Sequence, residues 1–135
     1  METNIEKIAA DIVDAAITVH RALGPGLLES AYKLAFAREM ELRGYKVQLE
    51  VPVRYYYKGV DLGKTYAMDV LINDLVPVEI KAAEALAPIH LAQTLTYLKL
   101  FDRRLGFLLN FNVVLMKEGM RRVVNNWHFQ NAHEK

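Results

Sequence analysis

Asp69, Glu79 and Lys81 are the residues of this sequence whose types and spacing suit chemistry. Asp69 interrupts the apolar run Tyr66-Ala67-Met68-Asp69-Val70-Leu71-Ile72. Glu79 and Lys81 interrupt Val76-Pro77-Val78-Glu79-Ile80-Lys81, and Asn73-Asp74 supplies turn chemistry between the two runs. Both runs read as strands. Side chains alternate along a strand, so Glu79 and Lys81 share one face while Val78 and Ile80 take the other. An acid then lies beside an ammonium, and the neighbouring strand supplies a second acid. Two converging carboxylates suit Mg²⁺, which takes oxygen ligands and keeps several waters for a substrate phosphate. A lysine beside them can hold an attacking water or the charge on phosphorus. The competing reading is a solvated sheet face with an ordinary surface ion pair, because an acid, a spacer and Glu-x-Lys is a short pattern.

The elements that must position these groups are legible from periodicity. From Asn4 to Leu23, Ile5, Ile8, Ile12, Ala16, Val19 and Leu23 recur at helical steps, and Gly24-Pro25-Gly26 ends the run. Leu27 to Arg43 reads as a second helix, with Leu28, Ala31, Leu34, Ala35 and Met40 as its apolar stripe and Gly44 closing it. Tyr45 to Tyr57 alternates, placing Val47, Leu49, Val51 and Val53 on one side and Gln48, Glu50 and Arg54 largely on the other, with Lys58-Gly59 as its turn. Val60 to Leu62 starts a return strand, and Gly63 permits a bulge before Tyr66 to Ile72 continues it. Pro77 suggests an irregular or edge position for the Leu75 to Lys81 strand.

Ala82 to Ala87 has no assignable pattern, and Pro88 fits the first turn of a helix to about Asp102 that buries Ile89, Ala92, Leu95 and Leu98 or Leu100. Leu105 to Phe111 and Val113 to Met116 are strand-like, Glu118-Gly119 reads as a hairpin turn into Met120 to Val124, and a loose tail or short capping segment follows from Asn125. The order is helix, helix, three strands, helix, then two or three strands. This is a mixed α+β (α/β) layer-packed fold, read as one domain over 1–135 with its core at about 5–124.

Composition bounds the function. A chain of 135 residues, 53% hydrophobic and 24% charged, can bury a core without staples. Cysteine is absent, which excludes disulfides, thiolate metal sites and cysteine nucleophiles. The first residues, Met1 to Lys7, carry acids with no continuous apolar region after them, against a signal peptide, and no run approaches membrane-spanning length; a cytoplasmic protein is expected. A net charge of +1 is no nucleic-acid signature. The late basic cluster Lys99, Arg103, Arg104, Lys117, Arg121 and Arg122 reads more readily as a solvated face than as a phosphate track. No GxGxxG, P-loop or Gly-x-Ser-x-Gly element occurs. His20, His90, His128 and His133 are too scattered for a zinc site.

Glu29 and Tyr32 lie three apart on one helical face, and Gln93 and Tyr97 four apart on another. If both faces abut the sheet at Asp69, Glu79 and Lys81, a polar pocket results. Plainer roles exist for each: Glu29 can serve the helix N-terminal dipole, the tyrosines can pack as rim rings, and Gln93 can be a surface amide. Tyr55-Tyr56-Tyr57 offers rings for base stacking, although alternation sends at least one of them to the core.

Several of these residues fall into a known pattern. Gly26-Leu27-Leu28-Glu29-Ser30-Ala31-Tyr32 resembles the motif of the GxxExxY family. Asp69, Glu79-Ile80-Lys81, Gln93-Thr94-Leu95-Thr96-Tyr97-Leu98-Lys99 and Gly106-Phe107-Leu108-Leu109-Asn110-Phe111 are similar to that family's later blocks, in the same order. The family is placed in the PD-(D/E)xK nuclease-like superfamily, so the resemblance implies a core of helix, three strands, helix and strand. It also implies a metal-dependent nuclease that hydrolyses phosphodiester bonds of DNA or RNA with Mg²⁺ or Mn²⁺.

By the same resemblance, Asp69 and Glu79 are metal ligands, and the chemistry of the pocket offers the carbonyl of Ile80 beside them. Lys81 is the catalytic lysine, Glu29 the acid from the preceding helix and Gln93 the polar residue from the following one; Tyr32, Tyr97 and Lys99 fall to the substrate. One departure is visible: the family often has an arginine shortly before the aspartate, and Tyr66-Ala67-Met68 has none. The alternative function is a catalytically weak or inactive module on this fold that binds nucleic acid or a protein partner. So short a nuclease would need a second subunit to cut both strands of a duplex, which makes a homodimer compatible with the sequence.

Overall fold

The computed structural model describes residues 4–63 and 66–126. Helices α1 (Ile5–Leu23) and α2 (Glu29–Leu42) precede strands β1 (Val47–Val53), β2 (Tyr56–Tyr57), β3 (Val60–Asp61), β4 (Tyr66–Ile72) and β5 (Val76–Lys81). Helix α3 (Pro88–Phe101), β6 (Leu105–Asn110), a 3₁₀ turn (Met116–Gly119) and β7 (Met120–Val124) complete the order. The five-stranded mixed sheet runs β1-β4-β5-β6-β7, and only β5 and β6 are parallel, joined through α3. Helix, three sheet strands, helix and strand is the expected core. Among the described residues no helix is long and apolar enough to cross a membrane.

Helix α1 starts where Asn4 Oδ1 accepts the N–H groups of Glu6 and Lys7 at 3.1 and 3.2 Å, and stops at Gly24, whose φ of 69° suits a residue without a Cβ. It buries Ile8, Ile12, Ala15, Ala16 and Val19. Helix α2 turns a different stripe inward from the one its leucines suggest. Tyr32, Phe36, Ala37 and Met40 are buried, whereas Leu28 and Leu34 are 78% and 59% exposed. Two aromatic rings spaced by four residues remove more apolar area from water than the leucines beside them, at roughly 2–3 kcal/mol for a fully buried large side chain. Helix α3 likewise buries Thr94, Tyr97 and Leu98 and leaves Ile89 exposed.

The two helical layers lie on opposite faces of the sheet. The larger core joins α1 and α2 to Val70, Ile72, Val76, Val78, Ile80, Phe107 and Leu109, and a smaller one joins Tyr97 of α3 to Val53, Met68 and Leu71. Val47 packs with the first core and Val51 and Val53 with the second, so β1 does not keep one apolar face along its length. Glu50, at φ 52°, is where it switches.

Three further differences from the sequence reading concern Pro77, the segment after β6 and the one after β1. Pro77 lies in a central strand, not at an edge. Its carbonyl would stand 3.1 Å from a Cβ at Gly106, so its backbone faces β6, where pairing begins only at Val78↔Phe107 and the missing N–H leaves no gap. The segment from Val113 to Met116 is not a strand: it bends into the 3₁₀ turn, with Val114 exposed and Met116 buried. Residues Val60 to Asp61 pair with Tyr56 to Tyr57 in a separate hairpin around Lys58 and Gly59, both at positive φ. The tail from Trp127 onward, with His128 and His133, lies outside the described residues.

Candidate active site

Asp69 and Glu79 meet where the ladder between their strands opens. Pairs Ile72↔Val76, Leu71↔Pro77 and Val70↔Val78 are closed, and the next step of that register would oppose Asp69 and Glu79. The two residues instead hold each other through side chains. The N–H of Asp69 donates to Glu79 Oε2 at 2.9 Å, and the N–H of Ile80 donates to Asp69 Oδ2 at 2.8 Å. Each carboxyl group is thereby fixed to the other's strand by a backbone hydrogen bond. The opposite flank is distorted at the same level. Glu50 falls between the pairs Leu49↔Val70 and Val51↔Met68, across from Asp69, and its φ of 52° keeps it out of the ladder.

Glu79 is 6% exposed, and Asp69 is half-buried. Burial pushes the Glu79 carboxyl up to about 8; the Asp69 charge adds to this, while the Asp69 N–H and Lys81 oppose it. Burial also raises Asp69, against the N–H of Ile80 and the ammonium of Lys33; Glu29 and Glu50 push it further up. Two neighbouring acids that each resist ionisation form a site that a cation relieves.

One oxygen of each, Asp69 Oδ1 and Glu79 Oε1, accepts no hydrogen bond among the described residues. The donor set fits a hard divalent ion that keeps waters or phosphate oxygens in its remaining positions, as Mg²⁺ and Mn²⁺ do. Among the described residues no group of three or more His, Asp or Glu side chains gathers to hold a metal. Glu29 does not gather with Asp69 and Glu79 into such a group. It stands exposed at the start of α2, where its charge still reaches Asp69 and Lys33.

The other residues singled out from sequence fall at different depths. Lys81 ends β5 half-buried, without an ion pair among the described residues, and its charge reaches Glu79. The Ile80 side chain is fully buried, and its N–H is committed to Asp69. Tyr97 is buried beside Met68, and its phenol is raised by burial and then by the charges of Glu79 and Asp69. Gln93 is half-buried one turn before Tyr97 on the same face of α3.

Lys99, two residues beyond Tyr97, is turned to another face of that helix. Tyr32 is fully buried and stacked on Phe111 at 4.8 Å, with its hydroxyl donating to Gly24 O and accepting from Leu27 N–H. The ring that was expected to touch substrate thus closes the loop ahead of α2. His90 caps α3, its Nδ1 accepting the N–H of Ala87 at 3.0 Å.

Sequence reasoning missed three members of the site. Lys33 donates to Glu50 Oε2 and places a cation beside Asp69; its signal was the four-residue step from Glu29. Glu50 had none, since only its backbone conformation brings it across from Asp69. Asn110, which pairs with Lys81, was visible as the amide ending an apolar strand. It is buried, and it takes Ala83 N–H on Oδ1 and gives Nδ2–H to Ala83 O, both at 3.0 Å, which fixes the chain just past Lys81. A groove of about 620 Å³ between α1 and β7, lined by Ala9, Val13, Ile17 and Met120, involves none of these residues.

Residues 6–123 match the model of the PD-(D/E)XK nuclease superfamily. No curated protein and no solved structure matches the chain.

Proposed function

As the chain belongs to the PD-(D/E)XK nuclease superfamily, we propose that it hydrolyses phosphodiester bonds of DNA or RNA at Asp69, Glu79 and Lys81, with Mg²⁺ or Mn²⁺. The observation that carries this reading is the reciprocal anchoring of Asp69 and Glu79 at the open end of the β4–β5 ladder. Within the superfamily we read it as a GxxExxY-type member on Gly26, Glu29 and Tyr32, working in the cytoplasm as one domain.

Asp69 Oδ1, Glu79 Oε1 and the carbonyl of Ile80 would hold the ion, which supplies Lewis acidity toward the phosphate and a water nucleophile at neutral pH. Lys81 orients that water or neutralises the charge that builds on the phosphoryl oxygens. Asn110 keeps Lys81 in place through Ala83. Gln93, on the face of α3 that carries Tyr97, positions the scissile phosphate, and Glu29 acts through its field and through water rather than by direct ligation. Lys33, from α2, supplies a positive charge next to Asp69, whose own strand lacks the arginine that the family often has shortly before the aspartate.

A second reading, a binding module with slow or no turnover, is favoured because no third acid gathers with the pair into a metal-holding group among the described residues. Purified protein incubated with end-labelled single- and double-stranded DNA and RNA, in Mg²⁺, Mn²⁺ or EDTA, separates the two. Metal-dependent cleavage lost in Asp69→Ala and Lys81→Ala is the expected result. Folded protein that cuts none of the four substrates overturns the nuclease reading and leaves the module.

A further inference from the structure

A row of tyrosine rings begins beside the acids and runs outward. Tyr97, packed against Met68, lies innermost, within the field of Glu79 and Asp69. The Tyr66 ring is 6.1 Å from it at a tilt of 49°, and Tyr55 follows 6.0 Å further at 33°. Tyr66 remains 43% exposed although it has ring neighbours on two sides and a buried cross-strand partner in Val53. Beyond Tyr55, the hairpin carries Tyr56 and Tyr57, both exposed, with Lys58 standing 5.4 Å from the Tyr57 ring centroid.

Resting on the nuclease reading above, we propose that Tyr66, held between Tyr55 and Tyr97, is a stacking platform for the unpaired bases of a single-stranded DNA or RNA whose backbone enters the Asp69–Glu79 site. A ring that already has two ring neighbours gives up little freedom when a base covers its exposed part. Bases in a duplex are already stacked on each other, so such a platform selects unpaired strands.

The spacing is suitable. Tyr66 precedes Asp69 by three residues, about 10 Å along a strand, which a few stacked nucleotides span at about 3.4 Å each. Charge argues the same way. The chain carries a net +1, and Arg54, Arg103 and Arg122 are paired with Asp61, Asp74 and Glu6. Those three arginines are partly neutralised toward phosphate, which leaves base contacts a share of the affinity. Lys58 and Lys81 stand at the two ends of the row.

Fluorescence anisotropy in EDTA tests this without turnover, using oligothymidine, oligouridine, an abasic strand of the same length and a blunt duplex. The wild type should bind the base-bearing strands about ten-fold tighter than the abasic strand or the duplex. Tyr66→Ala should weaken base-bearing strands by about five-fold or more and erase that difference, while Tyr66→Phe keeps it. If Tyr66→Ala does not fold, Tyr66→Leu, which retains apolar bulk without a flat ring, is expected to lose the same preference. The thymidine and uridine arms tell DNA from RNA.

Equal binding of abasic and base-bearing strands, unchanged binding in folded Tyr66→Ala or Tyr66→Leu, or no binding by the wild type would each overturn the platform. Cleavage is scored separately in Mg²⁺. Base-dependent binding without cleavage sinks the nuclease reading alone, and cleavage without base preference sinks the platform alone.

Discussion

Glu79 is the residue with the largest electrostatic conflict. Its carboxyl titrates near 8 in the folded chain against 4.5 for the free side chain, because burial and the Asp69 charge disfavour ionisation. The folded state therefore binds more protons than the unfolded state between those values, and stability falls as pH rises through that window. Thermal unfolding of the metal-free protein should show a lower Tm at pH 8 than at pH 5. Glu79→Gln should remove much of the decline, stabilising the protein at pH 8 by on the order of a few kcal/mol. Mg²⁺ or Mn²⁺ should raise the wild-type Tm more at pH 8 than at pH 5 and leave Glu79→Gln unmoved; a shift of equal size in both proteins would place the ion elsewhere. Asp11 has the opposite sign. Its carboxyl is held below its usual value chiefly by the Tyr45 hydroxyl and Lys7, so its contribution is lost only as pH falls through that depressed value. The two windows do not overlap.

Elements decide how firmly those side chains are held. Asn110 ties β6 to Ala83 and takes the N–H of Asn112, so Asn110→Ala strands buried backbone groups. A loss of about 2–3 kcal/mol in urea denaturation is expected. If Asn110 positions Lys81, turnover should fall more than substrate binding does. Gly119 packs against the same residue: a Cβ there would lie 2.0 Å from Asn110 O, a backbone atom that cannot step aside. Gly119→Ala should cost about 2 kcal/mol or more by forcing the 3₁₀ turn off β6. Tyr32→Phe removes the hydroxyl that serves Gly24 and Leu27 and should cost about 1 kcal/mol, with Mn²⁺ affinity unchanged in a titration. A large loss of metal affinity in that variant would return Tyr32 to the site.

At the scale of the whole molecule, charge is the limiting quantity. The basic cluster late in the sequence is partly occupied: Arg103 bonds Asp74 O and Phe101 O, Arg121 bonds Glu118 O and Met120 O, and Arg122 pairs with Glu6. If the tyrosine row carries the binding, counterion release contributes little. A plot of log affinity against log salt for a single strand should therefore be shallow, with a slope no steeper than about −3, where a protein making many phosphate contacts gives a far steeper line. Anisotropy titrations at several KCl concentrations measure it directly. A steep slope would assign the binding surface to the arginine-rich end of the molecule and away from the tyrosine row.

The sequence by itself determined the order of the core elements, the end of α1 at Gly24, the two strands that carry Asp69 and Glu79-Ile80-Lys81, and the PD-(D/E)XK nuclease superfamily. Each of these is written locally, in apolar period, turn residues and motif spacing. Which stripe of α2 faces inward was decided by tertiary structure, because Tyr32 and Phe36 outcompete the leucines only when a partner sheet is present. The same holds for the central place of Pro77, which depends on where β6 begins to pair, and for the change of face in β1, which depends on one positive φ at Glu50. The proximity of Lys33 and Glu50 to Asp69 and of Tyr66 to Tyr97 also required the fold. Residues from α2, β1 and β4 meet at the open ladder only once the layers close, and neither that approach nor the burial that raises Glu79 leaves a mark on any single stretch of chain.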